Sequence, residues 1–266
     1  MDFTPSTYKA LLMALQSAGY MFITFEDYCH MTEHERTQRR FVILRHDVDA
    51  KPKNSLRFAQ IENSLSIRAS YYFRIVPESN QPDIIRQIAA LQHEVGYHYE
   101  DLSLKNGDME KAIDAFRRHL DYFRKFYPVS TICMHGAPTS PYDSKDLWKH
   151  YHYRDFGIIG EPYFDMDFDE ALYLTDTGRC WDGFQYSVRD KVPQQEEWCE
   201  MGLTFHSTKH IIRWLERGWK RGEPLCNLMI TTHPQRWTPW PHAWLMEWGL
   251  QTAKNIVKRY LINHRK

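Results

Sequence analysis

A short apolar segment that ends in a cluster of charges constrains the fold of this chain most strongly. Residues 41–49, F-V-I-L-R-H-D-V-D, begin with four apolar residues and continue into Arg45, His46, Asp47 and Asp49. In a chain that also shows helical periodicity, an unbroken apolar run this short predicts a buried strand of a parallel sheet. Charges at the carboxyl end of such a strand lie where α/β folds place their chemistry.

The two aspartates of this segment should point to one side of the strand, because side chains alternate along a strand. Two carboxylates held close together repel each other unless a cation lies between them or one of them is protonated. One interpretation is structural, with an ion pair to Arg45 and a helix N-cap at Asp49. The other is that one aspartate binds a metal ion while the second is a catalytic base.

The apolar pattern predicts an alternation of strands and helices repeated about seven times, which is typical of a parallel sheet or barrel. We therefore expect an α/β fold, a single distorted (β/α)7-type barrel with parallel strands and an N-terminal helical cap. Within one domain over 1–266, the expected parts are a cap over 1–40, a core over about 41–237 and a C-terminal helix over 238–266. Several expected strands end in polar residues, which a barrel would gather on one face: Asp47 and Asp49; His98, Glu100 and Asp101; His135; Asp176; His233.

Individual elements can also be predicted. Helical spacing of apolar residues over 3–18, with Thr4 as N-cap and Pro5 at the first helical position, predicts the first helix. Further expectations are a polar connection over 25–40, a strand over 157–164 and a long loop over 183–205.

Composition excludes several functional classes. Lys plus Arg and Asp plus Glu are 34 each, so the formal net charge is zero, which argues against general nucleic-acid binding. The 5 cysteines are widely spaced without a C-x-x-C, which is typical of reduced thiols. No basic and apolar leader and no apolar run long enough for a membrane span is visible. We expect a cytoplasmic protein, and the composition favours no particular oligomeric state.

The residue types at the strand ends indicate a reaction class. Aspartate and histidine with one or two further nitrogen or oxygen ligands suit a divalent ion such as Zn²⁺, Co²⁺, Ni²⁺ or Mn²⁺. Such an ion polarises a carbonyl and lowers the pKa of bound water. A free carboxylate can take the proton of that water, and a separate histidine can protonate the leaving group. These parts favour hydrolysis of an amide or an ester.

The ordered motifs resemble those of the polysaccharide deacetylase superfamily, the NodB-homology or carbohydrate esterase family 4 type, over about residues 41–237. R-H-D-V-D resembles the strand-end aspartate pair of that family, with Val48 between the two acids. The resemblance implies that Asp47 is the base and Asp49 a metal ligand, with the reverse assignment left open. H-E-V-G-Y-H resembles the second motif and implies that His98 is a metal ligand, the alternative being a core histidine.

The remaining motifs depart from the family pattern. Leu102 stands where the second motif has its other histidine, so the third ligand is His135, Glu100 or Asp101, and we favour His135. M-H-G-A-P-T-S-P-Y-D occupies the place of the Arg-Pro motif, with His135 instead of arginine. L-M-I-T-T-H-P matches the fifth motif and implies that His233 is the catalytic acid, against a capping or surface role.

The fourth motif is represented by D-T-G-R-C-W. Asp176 and Trp181 resemble its aspartate and its tryptophan, which lines the acyl pocket, although a plain core position for Trp181 fits equally well. Arg179 is expected to orient Asp47 in place of the missing arginine.

The resemblance implies a metal-dependent hydrolase with one divalent ion, most simply Zn²⁺, that acts on a non-peptide C–N bond. The expected reaction removes an N-acetyl or related acyl group from a sugar in glycan or surface-polysaccharide metabolism. A cytoplasmic step on a nucleotide-linked or lipid-linked sugar fits best. Two alternatives stay open: a non-catalytic glycan-binding or scaffold protein, and a hydrolase of another C–N bond in a small molecule.

Overall fold

The computed structural model describes residues 1–181, 187, 189–218 and 227–264, with side chains up to residue 257. Six parallel strands form one curled sheet in the order β5-β4-β3-β2-β7-β6, and β1 pairs in parallel with the first half of β2. The strands are β1 Met21–Ile23, β2 Phe41–Val48, β3 Ser70–Phe73, β4 Glu94–Tyr99, β5 Ile132–Met134, β6 Ala171–Thr175 and β7 Asn227–Thr232.

Helices connect and cover the strands. The α-helices are α1 Pro5–Ser17, α2 Phe25–His30, α3 Glu33–Gln38, α4 Pro52–Ser64, α5 Pro82–Ala90, α6 Asp101–Leu104, α7 Met109–Phe123, α8 Pro162–Asp165, α9 Gln195–Glu200, α10 Thr208–Glu216 and α11 Pro241–His264. Short 3₁₀ helices occupy Ser144–Lys149, Tyr153–Phe156, Thr177–Arg179 and Pro234–Arg236. No helix among the described residues is both long and apolar enough to cross a membrane.

The expected α/β class with parallel strands is confirmed, and the closed barrel is not. Within the described ranges no strand pairing joins β5 to β6, so the sheet is an open half-barrel. The segment expected as a strand over 157–164 contributes only an isolated bridge between Gly160 and Thr131 and then turns into α8. Pro162 explains this end, because proline cannot donate a ladder hydrogen bond.

The central strand β2 is buried along its whole length, as its apolar sequence predicts. Val42 and Leu44 pack into the larger core on one face of the sheet, and Phe41 and Ile43 into a smaller core on the other. This alternation places Arg45 on the face of the smaller core. The predicted alternation of side chains along this strand is therefore confirmed.

On the opposite face of β2, the imidazole ring of His46 lies in a fully buried polar network. Its Nε2 is 2.7 Å from Oε1 of Glu62, and its Nδ1 is 2.6 Å from the Thr232 hydroxyl. The Tyr8 and Tyr71 hydroxyls both donate to the same Glu62 carboxylate. Because every charge in it is paired, this network connects α1, α4 and three strands instead of forming a ligand site.

The N-terminal region contains more helix than the sequence pattern indicates. Helix α1 begins as predicted, with Thr4 in a capping box and Pro5 at the first position. The expected polar connection over 25–40 was wrong, because it forms α2 and α3. Thr24 and Thr32 cap these helices, and each accepts a hydrogen bond from the backbone three residues later.

The expected long loop over 183–205 contains α9, while 182–186 and 188 lie outside the described residues. Gln195 stabilises the start of this helix, since its side chain accepts from the Val192 backbone N–H. The C-terminal helix expected over 238–266 is present as α11.

Candidate metal and acid–base site

The carboxyl ends of four strands meet at one cleft. Strand β2 delivers Asp47 and leads to Asp49, β4 delivers His98, and His135 and His233 directly follow β5 and β7. These five side chains line a cleft of about 600 Å³, which α11 borders on one side. The parallel sheet therefore brings together the five residues that the sequence assigns to metal binding and acid–base chemistry.

Asp49 lies at the centre of this group. Its Oδ1 is 3.5 Å from Nε2 of His98 and 3.6 Å from Nε2 of His135, and it is buried without a hydrogen-bond partner among the described side chains. Its Oδ2 accepts from the Gln235 amide at 3.0 Å. Burial raises the pKa of Asp49, but the interaction with His98 and the charges of His135 and His233 outweigh it and hold this pKa well below its usual range.

His98 and His135 are both oriented by hydrogen bonds at Nδ1, the ring nitrogen that points away from Asp49. Nδ1 of His98 donates to the Cys133 carbonyl at 2.9 Å, and Nδ1 of His135 donates to Glu100 at 2.8 Å. Each Nε2 therefore faces Asp49. Burial lowers the pKa of His98, but Asp47 and Asp49 outweigh it and raise this pKa, so a metal ion would have to displace a proton from Nε2. Metal-ligating histidines are typically oriented by such hydrogen bonds.

The alternatives for the third ligand have other partners. Arg74 forms a bidentate pair with Glu100 at 2.7 and 2.8 Å. Burial raises the pKa of Glu100, but His135 and Arg74 outweigh it and lower this pKa to about 2. Asp101 instead accepts from the Tyr97 hydroxyl and pairs with His119, both at 2.7 Å. Glu100 thus supports His135, and Asp101 is turned toward α7.

Asp47 is fixed by the arginine two residues before it. Nε and Nη2 of Arg45 donate to the two carboxylate oxygens at 3.0 and 2.8 Å, and both residues are buried. Such a fork holds the carboxylate in one orientation. Its Oδ2 lies 3.8 Å from Nε2 of His98, beside the Asp49 cluster.

A second carboxylate, Asp190, holds the same guanidinium from the other side, 3.5 Å from Nη2 of Arg45. Asp190 accepts hydrogen bonds from the Tyr163 hydroxyl at 2.6 Å and the Thr177 hydroxyl at 2.6 Å, and also from Tyr173. Burial raises the pKa of Asp190, but the Arg45 charge and the hydrogen bonds from Thr177 and Tyr163 outweigh this effect and hold the pKa below its usual range. The Arg45 guanidinium therefore contacts two carboxyl groups, those of Asp47 and Asp190.

His233 faces the cleft from the other side. Its Nδ1 donates to Asp176 at 2.6 Å, and its Nε2 lies 3.8 Å from Oδ2 of Asp49. Asp176 also accepts from Arg236 at 2.9 Å and from the Trp237 indole at 2.7 Å. Burial raises the pKa of Asp176, but the charges of His233 and Arg236 outweigh it and lower this pKa. Asp176 thus orients the imidazole so that Nε2 is presented to the cleft.

A second grouping could also hold a metal ion. Ligand atoms of Asp47, His98 and Cys133 all lie within 4.8 Å of one another, and the three residues are buried. However, burial raises the pKa of the Cys133 thiol well above its usual value, and a thiol binds metal as the thiolate. Both Asp47 oxygens are engaged by Arg45, whereas Oδ1 of Asp49 has no such partner. Asp49, His98 and His135 form an alternative set that shares His98, although among the described residues only the first group has its ligand atoms all within 4.8 Å of one another.

Two predicted site residues lie elsewhere. The Arg179 guanidinium donates to the Trp244 carbonyl at 2.9 Å and lies over the Trp244 ring, so Arg45 and not Arg179 holds Asp47. Trp181 packs against Phe3 and Trp237, and its indole donates to Thr208 at 2.9 Å. It is therefore a core residue, which was one of the two interpretations of its motif.

Residues that the motifs did not indicate complete the site. Arg74 and Tyr163 both line the cleft, and Asp190 lies in a stretch without hydrophobic periodicity. Of these three, only Arg74 could have been found from the sequence, because it directly follows β3 as the other site residues follow their strands.

Comparison with models of known protein families and with curated protein sequences finds no match to this chain. Its function is therefore inferred from the site itself.

Proposed function

We propose that this chain is a metal-dependent hydrolase that removes an N-acetyl or related acyl group from a sugar. The observation that carries the proposal is the buried Oδ1 of Asp49, which has two imidazole nitrogens within 3.6 Å and no hydrogen-bond partner among the described residues. A carboxylate oxygen in that position needs a cation, because an unpaired buried charge is costly.

Asp49, His98 and His135 are the residues that would hold the ion. One carboxylate and two imidazoles suit Zn²⁺, with Co²⁺, Ni²⁺ and Mn²⁺ as alternatives. When bound, such an ion supplies Lewis-acid activation of a carbonyl group and of a water molecule. Glu100 completes the arrangement, since it accepts the hydrogen bond from Nδ1 of His135 and so orients the ring with Nε2 toward Asp49.

Two further side chains near Asp49 would carry out the proton transfers. Asp47, held by Arg45, accepts a proton from the attacking water, whose oxygen forms the new bond to the acyl carbon. His233 donates a proton from Nε2 to the leaving nitrogen as the C–N bond breaks, and Asp176 stabilises the imidazolium form of that ring. The products are a carboxylate and an amine.

The cleft fits a sugar-sized substrate. Its volume of about 600 Å³ lies within the range of small-molecule sites. Cys29 and Cys133 are free thiols, which favours a reducing compartment and a cytoplasmic reaction on a nucleotide-linked or lipid-linked sugar. Under this proposal the open half-barrel corresponds to the core of the distorted (β/α)7 barrel that the resemblance to polysaccharide deacetylases implies.

The proposal is tested by acetate release from a panel of N-acetylated sugars in the presence of Zn²⁺ or Mn²⁺. We expect Asp47→Asn and His233→Ala to lower turnover by about a hundredfold or more, as for removal of a general base or acid. Asp83→Asn and His150→Ala are matched controls, because both residues are exposed, and they should keep wild-type activity.

Full activity of folded Asp47→Asn and His233→Ala variants would refute the assignment. Sugar binding without acetate release from any compound of the panel would favour the non-catalytic glycan-binding alternative.

A further inference from the structure

The C-terminal helix α11 has an unusual distribution of side chains. Trp244, Gln251 and Asn255 lie on one face of it, because residues three and four apart are neighbours on a helix. The Trp244 indole donates to the Asp2 carbonyl at 2.6 Å, the Asn255 amide donates to the Gly178 carbonyl at 2.8 Å, and Gln251 is buried. The face of α11 that contacts the rest of the chain is therefore largely polar.

The other side of α11 is apolar and faces solvent. Met246 is 63% and Ile256 is 68% exposed, and between them lie Gly249 and Ala253, which are also exposed. Further large apolar side chains of α11, each more than half exposed, are Leu245, Trp248, Leu250 and Val257. A surface helix of a monomeric protein normally has the opposite arrangement, with the apolar stripe toward the core.

The sequence of the second half of this helix and of the residues after it is basic. From residue 248 to residue 266 the chain has five lysines and arginines and no aspartate or glutamate: Lys254, Lys258, Arg259, Arg265 and Lys266. Lys254 is exposed. An apolar stripe with tryptophan and leucine, accompanied by lysine and arginine, is the composition of helices that lie in the plane of an anionic bilayer surface.

We propose that α11 docks on an anionic membrane surface through this stripe. A second copy of the chain fits less well. The described apolar side chains span residues 245–257, about 20 Å of helix, so a stripe about 10 Å wide covers about 200 Å², roughly a quarter of the ~800 Å² that a stable interface buries per partner. Two copies would also bring their basic segments together, whereas anionic lipid headgroups would neutralise them.

Docking would also place the cleft at the membrane. Glu247, Gln251, Ala253, Lys254 and Val257 of α11 line the cleft that contains Asp49, so the apolar stripe borders the mouth of the cleft at Ala253 and Val257. The bound helix therefore holds the mouth of the cleft near the headgroups, where a lipid-linked sugar presents its glycan. This consequence rests on the proposed function, but the docking itself does not.

The test is flotation of the full chain with lipid vesicles, which measures no hydrolysis and so fails separately from the proposed reaction. The vesicles contain phosphatidylcholine alone or a mixture with phosphatidylglycerol. We expect binding to the mixed vesicles that falls about tenfold between ~50 mM and ~300 mM salt, and little binding to phosphatidylcholine.

Met246→Glu and Ile256→Glu should each reduce this binding at least about tenfold, because a charge replaces an inserted apolar side chain. Met13→Glu is the matched control, since Met13 is 51% exposed on α1, and it should bind like wild type. Failure to float with anionic vesicles at low salt would overturn the proposal. Equal losses of vesicle binding in Met13→Glu and Met246→Glu would also overturn it. A third contrary result is a wild-type dimer that does not bind vesicles and that Met246→Glu dissociates.

Discussion

The glutamate of the H-E-V-G-Y-H motif gives a quantitative prediction about stability. Glu94 lies at the amino end of β4, away from the cleft, and is 1% exposed. Its carboxyl group accepts from the Ser70 hydroxyl at 2.5 Å, from the Glu26 backbone N–H at 3.0 Å and from the Thr131 hydroxyl. Burial raises the pKa of Glu94 from 4.5 to about 7 despite these hydrogen bonds.

The direction of the pH effect follows from this raised pKa. Between pH 4.5 and about 7 the folded chain holds a proton on Glu94 that the unfolded chain has lost, so the free energy of unfolding falls as pH rises. At about 1.4 kcal/mol per tenfold change in proton affinity, the loss amounts to about 3 kcal/mol above pH 7. Glu94→Gln replaces the titrating carboxyl group with an amide of nearly the same size and shape. The amide N–H of the glutamine can donate to the Thr131 hydroxyl.

The assay is urea unfolding at several pH values from 5 to 8, followed by tryptophan fluorescence. We expect the free energy of unfolding of Glu94→Gln, relative to wild type, to rise by about 2.5 kcal/mol between pH 5 and pH 8. The buried Glu161 also has a pKa of about 7, raised by burial, and contributes the same slope to both proteins. Glu110→Gln, at an exposed position, should follow wild type. Parallel curves for wild type and Glu94→Gln would refute the reasoning.

Three further predictions concern other buried carboxylates. Asp176→Asn should lower turnover about a hundredfold with KM little changed, because His233 loses the acceptor for Nδ1–H, and steady-state kinetics measure it. Asp190→Asn should lower turnover about tenfold and leave metal content unchanged, since it loosens Arg45 without touching the Asp49 cluster. Burial raises the pKa of Glu62, but His46 outweighs it and lowers this pKa to about 2. The ionised Glu62 carboxylate therefore contributes to the free energy of unfolding above pH 4.5, and this contribution is lost as the pH falls toward 2. Glu62→Gln should therefore flatten the acid limb of a circular dichroism titration.

The strand ends were predictable from the sequence because two local signals coincide there. An apolar run defines the strand, and the polar residue after it defines the edge where parallel strands end. Asp49, His98, His135 and His233 all follow this rule, so the sequence alone brings them to one cleft. The pair of Arg45 and Asp47 also follows from alternation along β2, since both side chains lie on one face.

The residues that hold the site side chains in position could not be predicted in the same way. Arg179 was assigned by its place in a motif, but its guanidinium lies on Trp244, a contact between segments 65 residues apart. Asp190 reaches Arg45 from a stretch that has no hydrophobic period, so no pattern indicates where its side chain lies. The choice of His135 over Glu100 and Asp101 depends on which carboxylate Arg74 and His119 engage, and that is set by packing between elements.

The most direct test of the central claim is metal content, measured by inductively coupled plasma mass spectrometry after incubation with Zn²⁺ and gel filtration. We expect about one ion per chain in wild type and its loss in Asp49→Ala, His98→Ala and His135→Ala, each checked for folding by circular dichroism. Cys133→Ala should keep the ion, which separates the Asp49 set from the Asp47, His98 and Cys133 group. Wild-type protein without bound metal, or loss of the ion in Cys133→Ala but not in Asp49→Ala, would show that Asp49, His98 and His135 do not form a metal site.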